Sequence, residues 1–172
     1  MSQHGDDEAT APSMMVTACR AAGCVLAVAP PVAQIALRVA LAVPFYRSGL
    51  TKWDGFLQLS DSAVYLFEEE FKLHILGATI DYPLPALMAF LSGVAEIALP
   101  VLLVLGLGTR FAAFGLLAMT AIIQLTIPDG WANFHLPWAA MALALVAWGG
   151  GRFSLDHLAC RMGLLRCPAG RS

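Results

Sequence analysis

Two residues of opposite charge, Arg38 and Glu96, interrupt stretches that are otherwise almost wholly apolar. A charge inside a membrane span costs about 3 kcal/mol even on gentle insertion scales, so it is kept when it is paired or when it lines a polar path. Depths along the helices compare them. Arg38 lies seven residues into a run that starts at Pro31, and Glu96 lies eleven residues before Leu107. At 1.5 Å per residue these are about 10 Å and about 16 Å from one membrane face, a gap that an extended arginine covers. The spacing therefore predicts an intramembrane Arg38–Glu96 pair. Gln34, Ala42, Gly49 and Lys52 fall near the stripe of Arg38, and Ala89, Ser92 and Gly93 near that of Glu96. Small residues there let two helices approach closely. Pro100, four positions after Glu96, cannot donate to the Glu96 carbonyl and leaves a second polar acceptor beside the carboxylate. The plainer alternative is that the two charges only lock two helices together.

A second polar group gathers toward the other ends of the runs: Tyr46, Arg47, Ser48, Lys52, Asp54, Gln124, Thr126 and His135. Gln124 closes the third run and His135 opens the fourth, so the two can meet just below an interface. Gln34, Ser92, Lys52, Gln124 and His135 are thus candidate binding residues, with an interfacial hydrogen-bonding role as the bland reading for His135 and headgroup snorkelling as that for Arg47. Cys19 and Cys24 precede the first run, and Cys160 and Cys167 follow the last, at spacings that match no compact zinc pattern. Free thiols in a reducing compartment are expected, although four thiols from two tails could meet over a metal. No phosphate loop, nucleophile elbow or haem-attachment motif occurs, so no catalytic residue is named.

The composition says what must position these groups. Of 172 residues, 59% are hydrophobic and only 13% charged, where a soluble domain carries about a quarter charged. A net charge of −2 removes the positive field of a nucleic-acid binder. Four apolar runs, at 31–50, 84–107, 111–127 and 134–150, are each near the length needed to span hydrocarbon. Short Gly- and Pro-marked breaks separate the last three. We therefore expect an all-α integral membrane protein, an antiparallel four-helix bundle occupying 31–157 between an N-terminal tail (1–30) and a basic C-terminal tail (158–172). The long acidic connection after Lys52 carries Phe56, Leu59, Ala63, Leu66, Phe67 and Phe71 at helical spacing, which predicts a short amphipathic surface helix, the alternative being a solvated loop. Residues 14–30 read as a further amphipathic helix on the inner surface, with a fifth span as the alternative; the acidic residues before them argue against a signal peptide. Arg20, Arg110, Arg152, Arg161, Arg166 and Arg171 share one side, which puts both tails in the cytoplasm.

An early arginine, then Phe45-Tyr46-Arg47-Ser48-Gly49-Leu50-Thr51-Lys52, then Ala95-Glu96-Ile97-Ala98-Leu99-Pro100 leading to Gly106-Leu107-Gly108-Thr109-Arg110, resembles the DoxX family of small four-helix bacterial membrane proteins. The likeness runs from about Gln34 to His157, and Arg38, Gly49, Lys52, Glu96 and Arg110 match the recurring pattern. It implies redox-associated work at the membrane, since members include a subunit linked to quinone-coupled thiosulfate oxidation and others tied to stress- or metal-responsive gene clusters. Two readings follow. One is a subunit that binds a quinone or similar small amphiphile between its helices, itself catalytic or not, beside a protein partner that carries the redox centre. The other is a non-enzymatic anchor or export and assembly module for a partner or its peptide product, in a metal- or stress-responsive system. The bilayer is a partner in both, and self-association into a homo-oligomer is compatible with either.

Overall fold

The computed structural model describes the backbone of residues 11–164 and the side chains of residues 28–164. Its longest element is α1 (Ala11–Leu50), a helix that continues through Pro30, Pro31 and Pro44. At 1.5 Å per residue it is about 60 Å long, twice a hydrocarbon core of about 30 Å, and among the described residues its part 28–50 qualifies as a candidate span. The stretch 14–30, expected as a separate surface helix, is therefore the uninterrupted N-terminal part of α1. The side chains of 14–27 lie outside the described residues.

The connection after α1 holds more structure than its composition suggests. Two antiparallel hairpins, β1 (Trp53–Gly55) with β2 (Gln58–Leu59) and β3 (Lys72–Ile75) with β4 (Ala78–Asp81), flank a short α2 (Asp61–Tyr65) that widens into a π-helical turn at Leu66–Glu70. Ser60 starts α2 by accepting a hydrogen bond from the Ala63 amide at 3.2 Å. The expected amphipathic helix thus exists over part of its length, with Ala63 and Phe67 turned inward. Phe56 and Leu59 belong instead to the first hairpin, and Phe56 is 96% exposed. The register Lys72↔Asp81 to Ile75↔Ala78 is closed by a tight turn at Leu76 and Gly77, both with positive φ. Leu76 has no contact to lose at 104% exposure, yet adopts a conformation that suits asparagine. Leu76→Asn should raise the stability of this hairpin by about 1 kcal/mol, read as slower amide exchange across β3–β4.

Three further long helices complete the fold: α3 (Pro85–Leu105), α4 (Thr109–Thr126) and α5 (Leu136–Trp148), with a short α6 (Leu155–Arg161) at the end. With α1, α3 and α4 give three helices long and apolar enough to cross a membrane. The fourth expected span is shorter than the run 134–150, because a 3₁₀ turn (Pro128–Gly130) and a π-helical turn (Trp131–His135) precede the 13 residues of α5. Helix α1 packs on α3, α3 on α4, α4 on α5, and α5 back on α1. The core where they meet is Leu41, Ala42, Phe45, Leu103, Ala112, Ala113, Leu116, Ala142 and Leu145. Four alanines among these nine keep the axes close. Val39, Val43, Leu91, Val94, Val101, Phe111 and Phe114 all point outward, the distribution of a helical protein whose surroundings are apolar.

Candidate functional site

Glu96 is 5% exposed on α3, and its Oε2 accepts from Lys52 Nζ at 2.7 Å. Arg38 is equally buried on α1, but its Nη2 donates to the backbone oxygen of Phe153 at 2.8 Å, and Asp156 supplies the charge that attracts it. The expected Arg38–Glu96 pair is therefore not formed. Helix register gives the reason. A Cβ on Gly49 would lie 2.9 Å from Glu96 Cβ, whereas a Cβ on Gly106 would collide with Arg38 Nη1. Gly49 is thus level with Glu96 and Arg38 with Gly106, so that eleven residues of α1, about 16 Å, separate the two charges. The arithmetic from the ends of the runs failed because α1 does not begin at Pro31.

The chain therefore has two polar centres. At the end carrying the hairpins (the loop end), Lys52 also donates to Ser48 Oγ at 3.3 Å. Gly49 lets α1 approach Glu96, and Gly93 lets the Trp53 indole lie against α3, edge-on to Phe90 at 5.4 Å between ring centres. Across the interior, His135 is buried, and its Nδ1 lies 2.6 Å from Gln124 Oε1, the meeting that their positions suggested. Gln124 Nε2 donates to the Pro128 carbonyl at 3.0 Å. Between these groups lies a cavity of about 850 Å³ whose polar lining includes Lys52, Glu96, Ser92, Tyr82, Asp129 and His135. Its remaining wall is mostly apolar, including Phe45, Met88, Leu91, Met119, Ile122, Ile123 and Trp138. Phe67, Phe71 and Tyr82 close its loop side as a packed aromatic group, with Phe67 5.2 Å from Phe71 and 5.3 Å from Tyr82. Tyr82 Oη and Thr126 Oγ1, 2.6 Å apart, tie that roof to α4.

At the opposite end (the turn end), Asp156 accepts from the Gly108 amide at 2.7 Å and the Thr109 amide at 2.8 Å, so it caps α4 with both carboxylate oxygens. Its own amide donates to Gly106 O at 2.9 Å. Gln34 reaches this end: a Cβ on Gly151 would collide with its Oε1. Arg110 Nη2 donates to Ala147 O at 3.3 Å, joining the start of α4 to the end of α5. Arg38 Nε and Nη1 and Thr109 Oγ1 are buried without a hydrogen-bond partner among the described residues.

Of the sequence candidates, Lys52, Glu96, Ser92 and His135 line one cavity, and Gln124 orients His135. Arg38 and Gln34 belong to the other end. Ser92 Oγ donates to Ala89 O within its own helix at 3.1 Å and presents its lone pairs. Asp156 and the roof of Phe67, Phe71 and Tyr82 were not foreseen as parts of a site. An acidic residue two positions after a serine, beyond a glycine triplet, is a capping signal that could have flagged Asp156. The expectation of four free thiols is corrected at Cys160, which is disulfide-bonded. Cys19, Cys24 and Cys167 have side chains outside the described residues, and with them lies the reading of a metal held between the tails.

The motif residues divide in the same way, Gly49, Lys52 and Glu96 at the cavity and Arg38 and Arg110 at the turn end. The sequence model of the DoxX family matches residues 33–129, more than half of the chain and the whole stretch that carries those five positions. The chain belongs to the DoxX family. A relative from Haemophilus influenzae, described as "Uncharacterized protein", is 28% identical over 138 residues, which are 74% of this chain and 83% of that one. No solved structure matches the chain. Helices α3 and α4 lie wholly inside the matched stretch and α1 from residue 33 onward, whereas all of α5 and Asp156 lie beyond it.

Proposed function

We propose that this DoxX protein is a membrane-embedded binding subunit that holds a small amphiphile, a quinone or a molecule like it, in the cavity at the loop end of an antiparallel four-helix bundle. The observation that carries this reading is the cavity itself: about 850 Å³, apolar on most of its wall, with a buried Lys52–Glu96 pair at one side. That volume lies within the range of sites for small organic ligands, about 300–1,000 Å³. The fit to a quinone head is chemical. Lys52 Nζ uses two directions on Glu96 and Ser48 and keeps a third N–H for a carbonyl oxygen, while Phe45 and Trp138 offer flat apolar surface. Leu91 on α3 and Ile122 on α4 both line the cavity and are both about half exposed, which supports entry of the ligand from the bilayer between those helices.

A bound quinone would supply electron and proton acceptance. The chain's own residues would bind and orient it, and a partner would carry the electrons. The experiment is binding of a short-chain ubiquinone analogue to purified protein in lipid nanodiscs. Glu96→Gln should weaken it about tenfold, because the substitution removes the charge that holds Lys52 in place; unchanged affinity would count against the proposal.

A second reading, an anchor or assembly module for a partner protein, is favoured by the hairpin tips, where Phe56 and Leu76 are fully exposed. Cross-linking through Lys72 in native membranes tests it. For orientation we propose a bacterial inner membrane with both tails cytoplasmic, from the arginines at the turn end. The disulfide at Cys160 is what the opposite, oxidising side would favour. Labelling a cysteine introduced at Arg152 with a membrane-impermeant reagent in intact cells decides: protection supports cytoplasmic tails.

A further inference from the structure

Gln124 fixes the hydrogen-bonding character of the cavity. A backbone carbonyl can only accept, so the Gln124 atom that faces Pro128 O at 3.0 Å must be the amide nitrogen. The other atom of the same amide, facing His135 Nδ1 at 2.6 Å, is then the oxygen, which accepts. His135 must therefore carry its proton on Nδ1, and a neutral ring presents a lone pair at Nε2. Nε2 has no hydrogen bond among the described residues, and His135 lines the cavity. The ring is held in place by packing: a Cβ on Gly130 would lie 2.6 Å from its Cε1, and Trp138 lies 5.5 Å away between ring centres.

The other polar groups on the wall tilt the same way. Glu96 and Asp129 are carboxylate acceptors, Ser92 has already spent its proton on Ala89 O, and Lys52 is the one cation among the charged groups lining the cavity. Acceptors outnumber donors, and two carboxylates face one ammonium. A head that is itself an anion, such as a fatty-acid carboxylate, would meet net repulsion. A head that offers only carbonyl oxygens would satisfy Lys52 and leave His135 Nε2 unmatched.

We propose that the cavity selects an amphiphile whose head carries an O–H or N–H donor, with His135 Nε2 as the acceptor of that hydrogen bond, so that a hydroxyl-bearing head is held more tightly than its carbonyl counterpart on the same tail. This rests on the reading of the cavity as an amphiphile site and adds the chemistry of the head. His135 is the binding residue, and Gln124 is the positioning residue that sets its tautomer.

The test uses the full chain in nanodiscs under anaerobic conditions and compares decylubiquinol with decylubiquinone, two ligands of identical tail. Wild type should bind the quinol about tenfold more tightly, the scale of one net hydrogen bond. His135→Phe should bring the ratio near one. Should that variant fail to fold, Gln124→Leu frees Nδ1 and lets the tautomer exchange, and it too should lower the ratio. Equal affinity of wild type for both ligands, with both weakened by Glu96→Gln, overturns the donor preference and leaves the amphiphile site standing. A quinol preference that survives both substitutions overturns the role of His135. Failure of both ligands to bind overturns this inference and the amphiphile site together.

Discussion

Glu96→Ala should lower the stability of the folded protein by about 3–5 kcal/mol, the largest single effect we expect from any side-chain truncation in this chain. The cause is what remains rather than what is lost. Lys52 keeps only 13% of its side-chain surface exposed, so removing Glu96 leaves an ammonium enclosed by the cavity wall with Ser48 Oγ as its remaining hydrogen-bond acceptor among the described residues. Lys52→Met in the same background should recover most of the loss, since two apolar groups in place of a buried pair are often tolerated. The double variant would then be folded but without polar contact for a ligand head on that wall. Thermal unfolding in detergent of wild type, both single variants and the double variant closes the cycle. A single Glu96→Ala that unfolds like wild type would mean that Lys52 escapes to water, and the enclosed character of the wall would be wrong.

Asp156→Ala should be nearly as costly, about 2–3 kcal/mol, although Asp156 lies beyond the matched family stretch and outside the core. One carboxylate holds two otherwise unpaired amides at the start of α4, at 2.7 and 2.8 Å, and also attracts the enclosed guanidinium of Arg38. Its loss uncaps a helix and at once removes a negative charge that attracts the buried Arg38. Asp156→Asn should recover part of the cap and none of the charge, which separates the two contributions. The readout is unfolding together with proteolysis at Arg152, because α6 is tethered to the turn end through Asp156 and the Phe153 carbonyl. If Asp156→Ala leaves both unchanged, the closing of this end must reside elsewhere.

The sequence made the apolar character and three helices long and apolar enough to cross a membrane plain, because hydropathy over about 20 residues is a local signal. It also pointed to Glu96, Lys52, Gln124 and His135 as residues of interest, since polar groups in such runs are few. The Gln124–His135 contact was legible there, but the partner of Glu96 was not. Arg38 and Glu96 looked matched when depth was counted from the ends of apolar runs, but α1 starts well before Pro31 and the contact of Gly49 with Glu96 sets the register. Register is a property of two surfaces fitting, and neither run alone carries it. The hairpins after Lys52 were missed for a different reason. Each strand has four residues or fewer, and the same Phe and Leu positions also satisfy a helical period, so that Phe56 was placed on a helix that begins only at Asp61.

Lys52 and Glu96 meet inside the wall with little of either side chain open to solvent. Mobile ions screen charges that water reaches, with a Debye length of about 8 Å at physiological ionic strength, and have far less hold on a pair enclosed by protein. Whatever this cavity holds should therefore stay bound in molar sodium chloride, where the exposed Lys72–Asp81 contact on the second hairpin has already dissolved.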